Sequence, residues 1–567
     1  MRPDGTAANK AAATSCGAVE TAMSIAVHNG ETFAAGDNIY ICPDAGTYTS
    51  QITAPSSGSA GSPIVYTSDP ANKAILLELE AVTDGALSWA NTGDWTDNAD
   101  DTWTIGLTNV YIYRLFIDGT EYPEIKSVLN IAAAYPWFQD ASKDSLTIYT
   151  GGQGAPNNPA TLYTSMTGIQ GDQYAFLINN KEYITIENLD IRAGYAGSLY
   201  IARSNNIVIK NNIIGKYSRY GVFVAGVPGA DDESSIIDID SNTIDSGAVL
   251  TWNADSDVHI PSGIFFLDGV HTSTIRNNTI KNWNHAGIDF VWWTAANPGS
   301  GYKGNDDNII SNNDISSPTL VTEARGISVE GGASMAVDNI VRYNDIHDLS
   351  TQNQINGKGT LIHNNIFRDM VSTAVSGTSC RGLGFSDNGT DRLSEDIKVY
   401  NNSFIDIDCQ GIAFNNFAQA ATVNNIGVVN NIFYNTDTEG SNIAIFIEDD
   451  ADVLGLTFTN NDIYSDATTT TIDYRGTTST VAAWSATGTD TQTDNIVSDP
   501  LFVNAAGGDF NLKTGSPAID VGADLGDTYT YDYRGRNQDS FGSGWEVGAR
   551  IYPSRKIHRK ISGQGVY

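Results

Sequence analysis

Two short patterns recur along this chain and constrain its fold more than any other feature. One reads apolar-x-Asn-Asn-x-Ile, as in residues 209–214. The other reads Gly-apolar-x-apolar and begins at Gly221, nine residues after Asn212. Asn278 is followed at the same distance by Gly287-Ile288-Asp289-Phe290, and Asn402 by Gly411-Ile412-Ala413-Phe414. The asparagine column can be traced through Asn188, Asn212, Asn242, Asn278, Asn313, Asn344, Asn365, Asn402, Asn431 and Asn461, at steps of 21 to 37 residues. Irregular repeats of that length, each with two or three short strands, predict a β-solenoid. One unit cannot bury its apolar face alone, but a stack can. Strands of successive coils would lie about 4.8 Å apart, so one Asn per coil would form an amide ladder. Asn also tolerates the left-handed backbone that a sharp corner needs.

The stretches IVIKNNIIGKYSRYGVFV, STIRNNTIKNWNHAGIDF and IKVYNNSFIDIDCQGIAF resemble the right-handed parallel β-helix superfamily, the pectin-lyase-like fold. The resemblance implies an all-β, right-handed parallel β-helix solenoid. It specifies function poorly, since the superfamily holds polysaccharide lyases, glycoside hydrolases, epimerases, phage tailspikes and adhesins.

The expected organisation has five parts. Residues 1–84 form an N-terminal cap and first coils, with a capping helix running from Thr14 and Ser15 to about Val27. Residues 85–170 are rich in aromatics and alternate like hairpin strands, which suggests an inserted sheet. Residues 171–475 are the regular helix, 476–550 a segment closing the C-terminal end of the stack, and 551–567 a basic tail. Of the four cysteines, Cys380 and Cys409 each stand two residues before a coil glycine, so they would stack within disulfide range. A reduced thiol stack fits equally. Cys16 and Cys42 are the second candidate pair.

The net charge is −35, from 66 acidic and 31 basic residues, which argues against nucleic acid as a partner. An anionic polymer would need a local basic cleft or bound calcium. Calcium candidates are the acidic turns at 231–233, 306–307 and 448–450, none with a calcium-loop consensus. No other cofactor is expected. No apolar run reaches a membrane span. The N-terminus lacks a basic-then-apolar leader, so either a leader is missing or the protein leaves the cell another way, as virion proteins do. The expected location is extracellular, on the cell surface or on a virion.

The chemistry-bearing stretch is residues 252–330. Strand parity puts Ile288 and Phe290 inward and Asp289 outward. Asp289 and Glu330 are then expected on one outer face, one coil apart. Two carboxylates about 5 to 9 Å apart can serve as acid and nucleophile or base in glycoside hydrolysis. His271 and His285 would support them. Trp252, Trp292 and Trp293 would stack on sugar, with Arg325 as a further contact. The segments DGVH at 268–271 and NHAGID at 284–289 resemble polygalacturonase-type sites in part. The paired-aspartate and Arg-x-Lys motifs of that family are missing, so no role carries over. A lyase would instead draw on Arg325, Lys358 and Arg381. Two functions follow: a protein that binds, and in one form cleaves, a polysaccharide along an outer groove, or a non-catalytic rod such as a phage tail or adhesin. A homo-trimer would suit the second, although no coiled-coil heptads are present.

Overall fold

A computed structural model of the chain describes residues 1–77, 83–84, 87–88, 95–99, 102–106, 110–117, 120–122, 137–139, 145–149, 159–165, 174–192, 197–217, 219–226, 233–246, 261–283, 285–292, 304–317, 324–330, 336–371, 381–386, 393–415, 422–436, 443–449, 453–466, 471–484, 486 and 488–552. Trp252, Trp293 and Cys380 lie outside these residues. The chain divides into two compact units, Met1–Asn305 with Ser317–Ala324, and Asp306–Ser316 with Arg325–Tyr567.

Both units are built from one repeated coil. A strand of a first sheet is followed by a sharp turn, then a short strand of a second sheet, then a strand of a third. In the first unit one coil runs Glu182–Glu187, Leu189–Arg192 and Gly197–Ala202, and the next runs Asn205–Lys210, Ile213–Gly215 and Tyr220–Ala225. Equivalent strands pair in parallel: Ile186 with Ile209, Ile191 with Ile214, Leu199 with Val222. All six of these side chains are fully buried. Each such residue removes roughly 1.5–3 kcal/mol of apolar surface from water. In the second unit the interior of the second sheet carries a ring stack, Phe367, Phe404 and Phe433, with centroids 4.9 and 4.8 Å apart.

The asparagine ladder forms, with two changes from the expected column. Asn212 donates its backbone N–H and its Nδ2 to Asn242 Oδ1 at 3.0 and 3.1 Å, and Asn242 does the same to Asn278 at 2.9 and 3.0 Å. In the second unit the ladder runs from Asn313 to Asn461 and ends on Asn495. Asn188 is not a member. Leu189 holds the ladder position and its N–H donates to Asn212 Oδ1 at 3.0 Å. Nor are the ladder residues left-handed. That conformation falls on the residue before each, including Asn211, Asn277, Asn401 and Asn430 at φ +57°, +54°, +52° and +57°. The two asparagines of the motif therefore divide the work: one turns the chain and the next ties coils together.

The glycine of the second motif has a separate cause. A Cβ on Gly221 would stand 2.5 Å from the Gly263 carbonyl oxygen, and one on Gly382 2.5 Å from that of Gly411. Adjacent coils approach too closely there for any side chain.

The N-terminal helix is shorter than expected. It spans Ile25–Gly30 and is capped by Ser24 Oγ, which accepts from Val27 N at 3.3 Å. The preceding residues fold back instead, with Thr6 N bonded to Val19 O and Ala7 N to Ala22 O. A disulfide joins Cys16 to Cys42. Cys409 is also disulfide-bonded, and no free cysteine is present among the described residues. His28 of the helix reaches the first coil, its Nε2 3.2 Å from Tyr66 Oη. Within 85–170 the described strands are antiparallel: Val110–Ile117 pairs with Thr120–Tyr122 and Pro159–Ser165, and Thr102–Gly106 with Ser145–Tyr149.

The closing segment runs along the side of the second unit. Asn460 Nδ2 donates to Val521 O at 2.9 Å and Asn430 Nδ2 to Ala523 O at 2.8 Å. Further back, Tyr529 packs on Tyr400 and His363, and Tyr343 Oη bonds Tyr531 O. Phe502, Phe510, Leu512, Val547 and Ala549 bury themselves on Ile366, Ile405 and Ile432 of the second sheet. Two left-handed asparagines of the turn column, Asn430 and Asn460, thus tie this strap to the stack.

Candidate functional site

In the first unit the third sheet carries an outer column Leu177, Tyr200, Phe223, Phe265 and Asp289, fixed by strand register. Most of this column is covered. Tyr174, Tyr220, Phe223, Phe265 and Val291 form a buried layer outside the coil. Tyr174 stacks on Tyr200 at 4.7 Å, Tyr200 meets Phe223 at 4.9 Å, and Tyr220 meets Phe265 at 4.4 Å.

Asp289 ends this column and is 0% exposed. An outward-facing carboxylate on a strand is expected to be wet; the aromatic layer makes this one dry. Its Oδ2 lies 2.9 Å from His285 Nδ1 and 3.5 Å from Ser262 Oγ. Its Oδ1 is buried with no hydrogen-bond partner in the structure. A desolvated carboxylate is costly without a donor, so it holds Nδ1 of His285 as the protonated nitrogen. In the neutral imidazole the lone pair is then on Nε2. The His285 side chain is 22% exposed, so the pair joins a buried orienting group to a ring that meets solvent. Tyr220, across the strand pair from Ser262, has its hydroxyl pushed up to about 12, chiefly by burial and with Asp289 adding to the shift.

Of the other predicted residues, His271 and Trp292 lie at the far end of these strands from His285. His271 lies beyond the end of strand Ser262–Leu267, whereas His285 stands before the start of its neighbour Ala286–Val291. The two histidines are thus at opposite ends of the sheet. His271 Nε2 is 3.0 Å from Glu233 Oε2. Trp292 follows Val291 at the far end from His285 and is half-buried. In the second unit Glu330 is taken up by Arg325, with Nη1 to Oε1 at 3.0 Å. Arg381 donates to Gln352 Oε1 at 3.0 Å, and burial pushes its guanidinium down to about 10. Lys358 pairs with Glu395 at 2.9 Å. Among the described residues no three acidic, histidine or cysteine side chains converge as a metal site. Sequence reasoning missed Ser262 and Tyr220. Each stands next to the coil glycine, Gly263 or Gly221, and that position was the available signal.

The family model described as "Right handed beta helix region" matches residues 139–300. The fold is a right-handed parallel β-helix. Among solved structures, this β-helix resembles XylC, solved in complex with xylose, at 13% identity and a TM-score of 0.53, over 92% of this chain and 94% of that one. It also resembles the pectate lyase Pel9A at 12% identity and a TM-score of 0.42, over 97% and 95%. At such identities the likeness is of fold alone. No curated protein sequence matches. No helix among the described residues of this β-helix is long and apolar enough to cross a membrane.

Proposed function

We propose that this β-helix is an extracellular or virion-borne protein that binds a polysaccharide where the third sheet of its first unit begins and cleaves it, with His285 as the proton-transferring group and Asp289 as its positioning residue. The observation that carries the reading is the 2.9 Å contact between the fully buried Asp289 carboxylate and the partly exposed His285 ring. A buried acid that orients a histidine is a recurrent means of fixing a general base or acid. The saccharide class is supported by the fold's likeness to XylC, which is described with xylose. A second reading, a non-catalytic polysaccharide-binding rod, is favoured by the pairing of Glu330 with Arg325, which leaves the outer carboxylate pair without one of its acids.

The test is a panel of neutral and acidic polysaccharides, assayed for new reducing ends and for unsaturated uronate absorbance. Wild type, His285→Gln and Asp289→Asn would be compared. Cleavage lost in His285→Gln and reduced about 10²-fold or more in Asp289→Asn supports the dyad. Reducing ends without absorbance assign a hydrolase, and absorbance assigns a lyase. Cleavage unaffected by either variant refutes the site, and saturable binding without cleavage favours the rod.

A further inference from the structure

A cavity lies in the closing segment of the second unit and is independent of the reading above. The strand Asp509–Leu512 pairs antiparallel with Phe502–Asn504, and Lys513 follows directly. Arg536 sits in a turn organised by Asp532, whose Oδ1 accepts the N–H groups of Arg534 and Arg536 at 2.9 and 2.7 Å. Lys513, Arg536 and Tyr552 line a cavity of about 540 Å³ together with Thr514, Asn511 and the apolar Val503 and Leu512. That volume is in the range of small-molecule sites.

Charge makes this cavity unusual. Acidic residues outnumber basic ones by 66 to 31, yet this cavity is lined by two cations. Arg550 of the same segment lies 3.7 Å from Asp509. Lys513 and Arg536 form no ion pair among the described residues. The guanidinium of Arg536 has one bond, Nη1 to Ile551 O at 3.3 Å. Asn511 gives its N–H and Nδ2 to Asp509 Oδ1, and its own Oδ1 is buried without a donor. The hydroxyls of Thr514 and Tyr552 share one bond at 2.5 Å, which leaves each with further bonding capacity.

We propose that this cavity binds an acidic saccharide. Lys513 and Arg536 take its anionic group, a carboxylate or a sulfate, through charge-assisted bonds. Thr514 and Tyr552 hydroxyls take ring hydroxyls, and Val503 and the Tyr552 ring face its apolar side. The experiment is calorimetric titration of the full chain with glucuronate, glucose 6-sulfate, glucose and inorganic sulfate at low ionic strength. The expected result is saturable binding of at least one acidic sugar and none of glucose. Lys513→Met and Arg536→Gln should each weaken that binding about tenfold or more, with an unchanged melting temperature. Lys513→Glu, at an exposed position, guards against loss of fold in the Arg536 variant and should abolish binding. Glucuronate alone would assign a uronic acid, and glucose 6-sulfate alone a sulfated sugar. Failure of both acidic sugars to bind, inorganic sulfate binding as tightly as either, or affinity unchanged in folded Lys513 variants would each overturn the proposal.

Discussion

Asn402 is bound twice to Asn431: its backbone N–H and its Nδ2 reach the same side-chain oxygen, at 2.9 and 3.1 Å. It is in turn the acceptor for both donors of Asn365, at 2.9 and 3.0 Å. Replacing Asn402 by Ala therefore removes the acceptor of two buried Asn365 donors, while the backbone N–H keeps one of the two bonds to Asn431 and Ile362 O loses its Nδ2 donor. Asn402→Ala should destabilise the second unit by about 3 kcal/mol. Asn188→Gly, at a left-handed turn outside the ladder, should cost about 0.5 kcal/mol or less. Denaturant unfolding of the two variants checks this, and equal costs would refute the distinction.

The coil glycines predict a steric rather than a conformational effect. A Cβ on Gly382 meets the Gly411 carbonyl oxygen at 2.5 Å and a Phe404 ring carbon at 2.7 Å. Gly382→Ala should cost about 2 kcal/mol, seen as a lowered melting temperature. A neutral result would mean that adjacent coils can separate at this corner.

His363 lies buried beneath the strap, its ring edge-on to Tyr529 at 5.1 Å, and burial lowers its pKa from 6.5 to about 4. Because the folded value is depressed, the unfolded chain binds more protons between pH 6.5 and 4. The stability this neutral ring retains is therefore fully present above about pH 6.5 and is lost as pH falls toward 4, by about 3 kcal/mol. His363→Phe should remove that part of the acid sensitivity, which thermal melts at pH 7 and 4.5 would show. His28, lowered to about 4 by burial in the N-terminal unit, should act in the same direction there.

Asp462 works in the opposite sense. It is fully buried, Oδ1 accepts Ser498 N at 3.2 Å, Oδ2 has no partner in the structure, and burial raises its pKa from 3.8 to about 7. The folded state here prefers the protonated acid. Its contribution is present below about pH 3.8 and is lost as pH rises through 7. Asp462→Asn, which keeps the shape without the charge, should raise stability at pH 8 by about 2–4 kcal/mol and change little at pH 4. Stability at pH 8 that is unchanged or lower would contradict the raised value.

The dyad also predicts a division of effects. Because Asp289 lies 2.9 Å from His285 and is itself 0% exposed, Asp289→Asn should lower kcat by about 10² or more with little change in KM. A rise in KM alone would mean that the carboxylate shapes the groove and does not orient the ring.

The sequence by itself determined the coil. Ile186, Ile209 and Ile239 face inward, and Asn212, Asn242 and Asn278 bond coil to coil, because a stacked repeat must satisfy the same apolar and amide contacts at every turn. Strand parity also placed Asp289 outside the core, in register with Phe265 and Phe223. Tertiary structure decided what parity cannot express. Whether an outward residue is wet depends on what lies over it, and the layer of Tyr220, Phe223 and Phe265 dries the face on which Asp289 ends. Which of two adjacent asparagines turns and which bonds follows from the φ each adopts once coils are stacked. The partners of Glu330 and His271, namely Arg325 and Glu233, come from local geometry at strand ends that spacing does not encode. The path of the closing segment was set by long-range bonds such as Asn430 to Ala523. Such contacts depend on which surface the finished stack leaves uncovered, and that surface exists only after folding.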